Sequence, residues 1–271
     1  MQIIGETING AIPAVARAIR EGDEGLIRRL ALLQAEAGAD YLDICACVRD
    51  REGEILAWLI AQVQAVTDLP LCIDSPVPER CVEAMALCRR PGLLNSASLD
   101  GGKAELLFPA VAGTDWGCVS LLCSRGIPAA VSHRLAALRQ LLALAERHGL
   151  RRSQLWFDPM VEAACLSGDG ASEALAALAA IKREAPDVKT VAAISNVSFT
   201  LPHRQAVNGA FLVLAMGAGL DCAILDPTDR QLAALRYAAD ALTGRDEHCL
   251  DYIDAYRQGR FGRKEMPNGK N

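Results

Sequence analysis

Asp74, Asn95, Asp158 and Asn196 are the residues of this chain best placed to do chemistry. The first three close the apolar runs Leu71-Cys72-Ile73, Leu93-Leu94 and Trp156-Phe157, and Asn196 follows Thr190-Val191-Ala192-Ala193-Ile194 by one serine. A polar group so close to a buried run is costly unless it is used. Glu6, behind Ile3-Ile4-Gly5, and Ser198, within Ser195-Asn196-Val197-Ser198-Phe199, share the setting. Carboxylates accept hydrogen bonds from paired N–H groups, and amides both donate and accept. The set therefore suits a neutral, flat heterocycle rich in hydrogen-bonding groups. Hydrolytic and metal machinery is missing from the pattern. The four histidines, His133, His148, His203 and His248, form no H-x-H or H-E-x-x-H. There is no G-x-S-x-G elbow and no P-loop.

To bring these groups together, the runs that carry them must end side by side. Strand-like runs near 2–5, 40–44, 70–74, 92–96, 117–122, 155–157, 190–195 and 221–225 alternate with helical patterns near 24–37, 53–66, 78–88, 102–112, 133–148, 172–184, 206–217 and 229–241. Such alternation predicts repeated βα units on a parallel sheet, and eight of them close a barrel. The α/β reading is thus a single (β/α)8 TIM barrel over residues 1–243, with a C-terminal helix and tail over 244–271. Ala37-Gly38-Ala39-Asp40 and Ala218-Gly219-Leu220-Asp221 repeat one device, a left-handed glycine that ends a helix before a strand. An open doubly wound sheet competes, but no strand is followed by G-x-G-x-x-G. In a barrel the strand C-termini form the site. Glu6, Asn9, Asp43, Asp74, Ser75, Asn95, Ser96, Asp158, Asn196, Ser198 and Asp226 are expected at that mouth. Among the strand-end residues, Ser75, Ser98 and Asp226 read as caps or turn residues.

With 271 residues, 51% of them hydrophobic, one large core is expected, and a net charge of −5 argues against a nucleic-acid partner. The basic run from Arg257 to Lys264 reads as a solvated tail. No leader pattern opens the chain, and the longest apolar stretch, 210–225, is interrupted by Gly217, Gly219 and Asp221, so no membrane span is expected. The ten cysteines contain no C-x-x-C, and Cys45-x-Cys47 has no matching pair. Reduced cysteines in a cytoplasmic protein without structural zinc are the expectation.

Gly5-Glu6-x-x-Asn9, Asp43, Cys72-Ile73-Asp74-Ser75, Leu94-Asn95-Ser96, Gly126-Ile127-Pro128, Phe157-Asp158-Pro159, Ser195-Asn196-Val197-Ser198-Phe199 and Arg204 with Asn208 and Phe211 together carry a family likeness. In that order and spacing they resemble the pterin-binding methyltransferases that exchange a methyl group between methyltetrahydrofolate and a corrinoid protein, from residue 1 to about residue 255. The resemblance implies a (β/α)8 barrel, usually a homodimer, that binds tetrahydrofolate or methyltetrahydrofolate as substrate at its mouth. It also implies a partner corrinoid protein carrying the cobalamin, and no metal held by the barrel itself. By the same resemblance Asp74, Asn95 and Asp158 hold the pterin edge with Glu6 and Ser198 in the binding set. Asn196 reaches N5, and Asp158 joins it as a catalytic residue in the network that handles the proton. A donor near N5 is chemically needed, because a tertiary amine leaves only when positive charge builds on it. Transfer in either direction is open, including from methylcorrinoid to tetrahydrofolate in a demethylating system. The chain departs from the family pattern at Thr7, Cys45 and Cys123, all at the mouth. Alternatives are a non-catalytic pterin-binding subunit and a dihydropteroate synthase-like enzyme, the latter disfavoured by the lack of a Lys followed by an S-x-H or R-x-H anion site.

Overall fold

Eight parallel strands close in chain order: β1 (Gln2–Gly5), β2 (Tyr41–Cys45), β3 (Leu71–Asp74), β4 (Leu93–Ala97), β5 (Gly117–Leu121), β6 (Leu155–Asp158), β7 (Lys189–Ala193) and β8 (Cys222–Leu225). The computed structural model describes residues 1–262 apart from Arg49, Arg125 and Ala129. β1 pairs with β2 on one side and β8 on the other, so the sheet has no open edge. The helices are α1 (Pro13–Glu21), α2 (Glu24–Glu36), α3 (Glu52–Gln64), α4 (Pro78–Met85), α5 (Lys103–Val111), α6 (Val131–Arg147), α7 (Gly170–Glu184), α8 (Arg204–Gly217), α9 (Arg230–Leu242) and α10 (Leu250–Arg257). The expected (β/α)8 barrel is therefore the fold.

Strand residues of one parity fill the barrel. Ile4, Cys72, Leu93, Val119, Trp156, Val191, Cys222 and Ile224 form one buried cluster, with Tyr41, Leu121 and Ala193 packed against it. At its lower end Lys189 Nζ lies 4.2 Å from the Trp156 ring centroid and donates to Gln2 Oε1 at 2.8 Å, while Tyr41 meets Trp156 edge-on at 5.6 Å. Gly117 leaves room for this plug, since a Cβ there would stand 2.7 Å from Leu93 Cδ2 and 2.9 Å from Trp156 Nε1. Residues of the opposite parity, such as Leu42, Ile44, Ile73, Leu94 and Phe157, pack outward on the helices.

Two expectations needed revision. α1 was not foreseen, although Pro13 opens it and Gly22, at φ 68°, ends it. The strand expected over 190–195 stops at Ala193, and Ile194–Ser198 winds into a 3₁₀ turn. Side-chain bonds outbid the ladder there: Arg204 donates from Nε to Ser198 Oγ at 2.9 Å and from Nη2 to the Ser195 carbonyl at 2.7 Å. The glycine devices are present, with Gly38 at φ 91° and Gly219 at φ 106°. Beyond α9, α10 is anchored through Phe261, whose ring lies 5.0 Å from Tyr252 and 5.6 Å from Tyr237. The last part of the basic run and the tail from 263 lie outside the described residues. No described helix is long and apolar enough to cross a membrane.

Candidate active site

The mouth follows from the parity of the barrel filling. Stepping two residues up each strand from an interior position leads from Ile4 to Glu6, from Tyr41 to Asp43 and Cys45, from Cys72 to Asp74, and from Leu93 to Asn95. The same step leads from Trp156 to Asp158 and from Ile224 to Asp226, while the 3₁₀ turn that follows Ala193 carries Ser195. Register then sets them side by side: Cys45 pairs with Asp74, Asp74 with Asn95, and Leu121 with Asp158. An apolar plug thus ends in a polar ring.

Burial governs the charge state of this ring. It lifts the Glu6 carboxyl to about 7, with Asp226 adding to the rise while the Ser195 hydroxyl and Arg204 offset part of it. Asp158 rises to about 6 for the same reason, held down by the Met160 N–H, which reaches Asp158 Oδ1 at 2.6 Å, and by the charge of Arg134. Burial also raises Asp74, partly countered by the Cys45 thiol and by Lys103. Asp43 is pushed well above the usual carboxylate range by burial first and the neighbouring Asp74 second, and one of its oxygens has no partner among the described residues. Buried acceptors left in this state favour a ligand that brings N–H donors.

The turn after β7 sorts the residues of Ser195–Phe199. Ser198 is fully buried, its hydroxyl placed between Arg204 and the Ser195 carbonyl, so it shapes the turn. Asn196 is exposed, and its backbone carbonyl closes the turn on the Phe199 N–H at 3.2 Å. Ser195 donates from Oγ to Glu6 Oε2 at 3.3 Å, joining the turn to the end of β1.

Several expected mouth residues serve their own loops. Ser75 accepts from the Val77 N–H at 3.0 Å and donates to Glu52 at 2.8 Å, and Asp226 accepts from the Thr228 N–H at 2.9 Å. Asn9 accepts from the Ala11 N–H at 2.8 Å and from the Cys47 thiol at 3.1 Å. Of the family departures, Cys45 contacts Cys47 sulfur to sulfur at 2.9 Å, Cys123 donates to Asp100 at 3.5 Å, and the Thr7 N–H bonds to Gln34 at 3.1 Å. Gly5 permits this last contact, because a Cβ there would collide with the Gln34 amide.

Sequence reasoning missed Arg134, Glu52 and Lys103. Arg134, on α6, is 1% exposed and donates from Nε to the Pro159 carbonyl at 2.6 Å. Its signal was legible as a lone charge on the stripe continued by Ala137, Leu138 and Leu141, all buried. A groove of about 950 Å³ between α1 and α3, lined by Ile19, Val48, Ile55 and Trp58 among others, holds none of the ring residues. Among the described residues no group of three or more His, Cys, Asp or Glu side chains is arranged to hold a metal ion.

An eight-stranded barrel whose strand ends carry amides and carboxylates, Asp43 and Asp158 among them buried, is the architecture of a pterin-binding barrel. The chain belongs to the family described as pterin binding enzyme, which it matches over residues 20–226. It is 40% identical over 266 residues, 97% of this chain and 98% of the other, to a Eubacterium limosum protein named methylcorrinoid:tetrahydrofolate methyltransferase. Solved structures of similar fold include the dihydropteroate synthase of Xanthomonas albilineans with 4-aminobenzoic acid, at TM-score 0.68 and 22% identity. Another is the dihydropteroate synthase of Stenotrophomonas maltophilia with active site-bound imidazole, at TM-score 0.65 and 20% identity. In both cases 91% of this chain and 93% of the other are covered, and the likeness extends to the fold.

Proposed function

We propose that this protein transfers a methyl group between the cobalt of a corrinoid protein and N5 of tetrahydrofolate, running from methylcorrinoid to tetrahydrofolate. The observation that carries the reading is the near full-length identity to a protein named for that reaction. The buried acceptor ring supports it. Asp74, Asn95 and Asp158 take the N–H groups of the pterin edge, with Glu6 at the seam of β1 and β8. Asn196, exposed beside them, places its amide at N5, and Ser198 holds the turn that presents it. Asn196 acts on charge that develops at N5, so its contribution belongs to the transition state. Asp158 serves the proton network of the same site.

The corrinoid is brought by the partner, so the rim must receive a protein. Five of the loops that follow strands lift an exposed apolar side chain: Ile12 after β1, Val77 after β3, Ile127 after β5, Leu166 after β6 and Phe199 after β7. Leu166 and Phe199 stand out at 73% and 60% exposure, and their loops are tied by the Cys165 thiol donating to the Phe199 carbonyl at 3.3 Å. An apolar rim around a polar well suits a partner that must exclude water from the transfer. A homodimer completes the same reading, and light scattering reads it directly.

The deciding experiment mixes the protein with tetrahydrofolate and a methylated corrinoid protein and follows the cobalt absorbance. Loss of the methylcobalt spectrum with formation of methyltetrahydrofolate is expected. Pterin binding with an unchanged cobalt spectrum would leave only a pterin-binding subunit.

A further inference from the structure

Methylation of N5 leaves a proton to be disposed of. Tetrahydrofolate presents N5 as a secondary amine. When its lone pair forms the bond to the methyl carbon, the carbon–cobalt bond breaks with both electrons left on the metal. The nitrogen then carries a hydrogen and a positive charge, and that hydrogen must leave as a proton. From the geometry at the seam of β7, β8 and β1 we infer that Glu6 is the acceptor of this proton, reached through the hydroxyl of Ser195. The inference rests on the function proposed above and on Asn196 lying at N5.

Ser195 is the residue directly before Asn196 and the only one of that turn bonded to a mouth carboxylate among the described residues. Its Oγ donates to Glu6 Oε2 at 3.3 Å. A proton taken by Ser195 Oγ from N5 is balanced by the serine's own proton moving to Glu6, so the hydroxyl ends unchanged. The groups that face Glu6 leave it free to accept. Asp226, at the end of β8, and Asp43, on β2, are acidic neighbours that favour the protonated form. Arg204, at the start of α8, is the one cation among the described residues whose charge lowers Glu6, and it commits its Nε and Nη2 to Ser198 and the Ser195 carbonyl. Asp158 is less suited, because the Met160 N–H and the charge of Arg134 hold it toward the ionised form. Burial supplies the remaining requirement, since it lifts the Glu6 carboxyl to about 7, where a group both takes and returns a proton with little penalty. The reverse reaction uses the same pair, with protonated Glu6 returning the proton to N5 as the methyl group departs.

Single-turnover transfer in both directions, followed by cobalt absorbance across about one pH unit on each side of 7, tests the assignment. Methylation of tetrahydrofolate is expected to quicken as pH rises, demethylation to slow, and both profiles to bend near 7. In Glu6→Gln, at saturating tetrahydrofolate, the bend is expected to vanish in both directions, with the forward rate constant above it falling by about tenfold or more. Ser195→Ala, which removes one hydroxyl and keeps the turn's backbone bonds, is expected to slow transfer by about tenfold at unchanged affinity. A bend that persists in Glu6→Gln at saturating tetrahydrofolate, or a rate constant unchanged there, would overturn the assignment, and so would a fully active Ser195→Ala. A wild-type protein that binds tetrahydrofolate yet transfers no methyl group would instead overturn the proposed function.

Discussion

Arg134 and Pro159 meet through a single 2.6 Å hydrogen bond from a buried guanidinium to a carbonyl, and that bond fixes the turn on which Asp158 stands. A second, longer bond reaches the Met160 carbonyl at 3.4 Å, and Glu173 on α7 lies 3.9 Å behind the guanidinium. The helix layer thereby controls a carboxyl of the mouth from outside the barrel.

Replacing the arginine separates its two effects. Arg134→Met leaves the Pro159 and Met160 carbonyls unpaired, a loss of about 1–3 kcal/mol per group in denaturant unfolding. It also removes a charge that holds Asp158 down, so the acid limb of tetrahydrofolate binding, set near 6, moves to higher pH. Arg134→Lys is expected to restore part of the charge effect without the forked geometry. An unmoved acid limb in Arg134→Met would show that the guanidinium does not act on Asp158.

Asp74 tests the acceptor ring where β3 pairs with β2 and β4. Asp74→Ala should weaken tetrahydrofolate binding by about 1–3 kcal/mol, because pterin N–H donors lose their acceptor. Calorimetric titration reads this directly, and the wild-type affinity should survive treatment with a chelator. Unchanged affinity in a folded variant would place the pterin elsewhere.

Asn196 should matter to rate more than to binding. Removing a well-placed donor to developing charge costs about 2.7–4 kcal/mol in the transition state, and Asn196→Ala should lose turnover on that scale while binding tetrahydrofolate nearly normally. Transfer measured in both directions should fall by the same factor. If the variant instead loses stability and the folded fraction stays active, Asn196 is a turn residue.

Stability should depend on pH in a direction set by the raised carboxyls. Glu6 goes from 4.5 to about 7 and Asp158 from 3.8 to about 6 on folding, so the native state binds more protons than the unfolded chain between those values. Their contribution is complete below about 4 and is lost as pH rises through 6 and 7, at about 1.4 kcal/mol per unit of separation. The unliganded protein should therefore melt higher near pH 5 than near pH 8. The contribution of Asp158 disappears in Asp158→Asn, so a pH slope unaltered in that variant would refute its share.

At the rim, Leu166→Asp and Phe199→Asp should raise the concentration of corrinoid protein needed for half-maximal transfer by about tenfold each, while tetrahydrofolate affinity is kept. Transfer kinetics at varied partner concentration, with calorimetry on the pterin, separate the two readouts. Normal partner dependence in both variants would remove the rim from the docking surface.

The sequence by itself determined the barrel and the identity of its mouth, because both depend on local patterns. Short apolar runs, the helical patterns between them and the glycines at 38 and 219 are readable residue by residue. A polar residue closing an apolar run, as at Asp74 and Asp158, marks the strand end without any knowledge of its neighbours. The short helix α1 is legible from Pro13, from Gly22 and from Val15, Ala18 and Ile19 lying opposite Arg17 and Glu21, but its nine residues make only a short pattern. What the tertiary structure decided was the charge state and the division of labour. Whether Glu6 sits near 7 depends on burial among β7, β8 and β1, which lie about 190 and 220 residues apart in the chain from Glu6 to its partners Ser195 and Asp226. Ser198 and Asn196 look alike in sequence, yet Arg204 takes the first as a strut and the 3₁₀ turn leaves the second exposed. Arg134 stands out in sequence as a lone charge on an apolar helix stripe, but only closure of the barrel sets its partner, the Pro159 carbonyl, because electrostatics and hydrogen bonding depend on distances that folding sets.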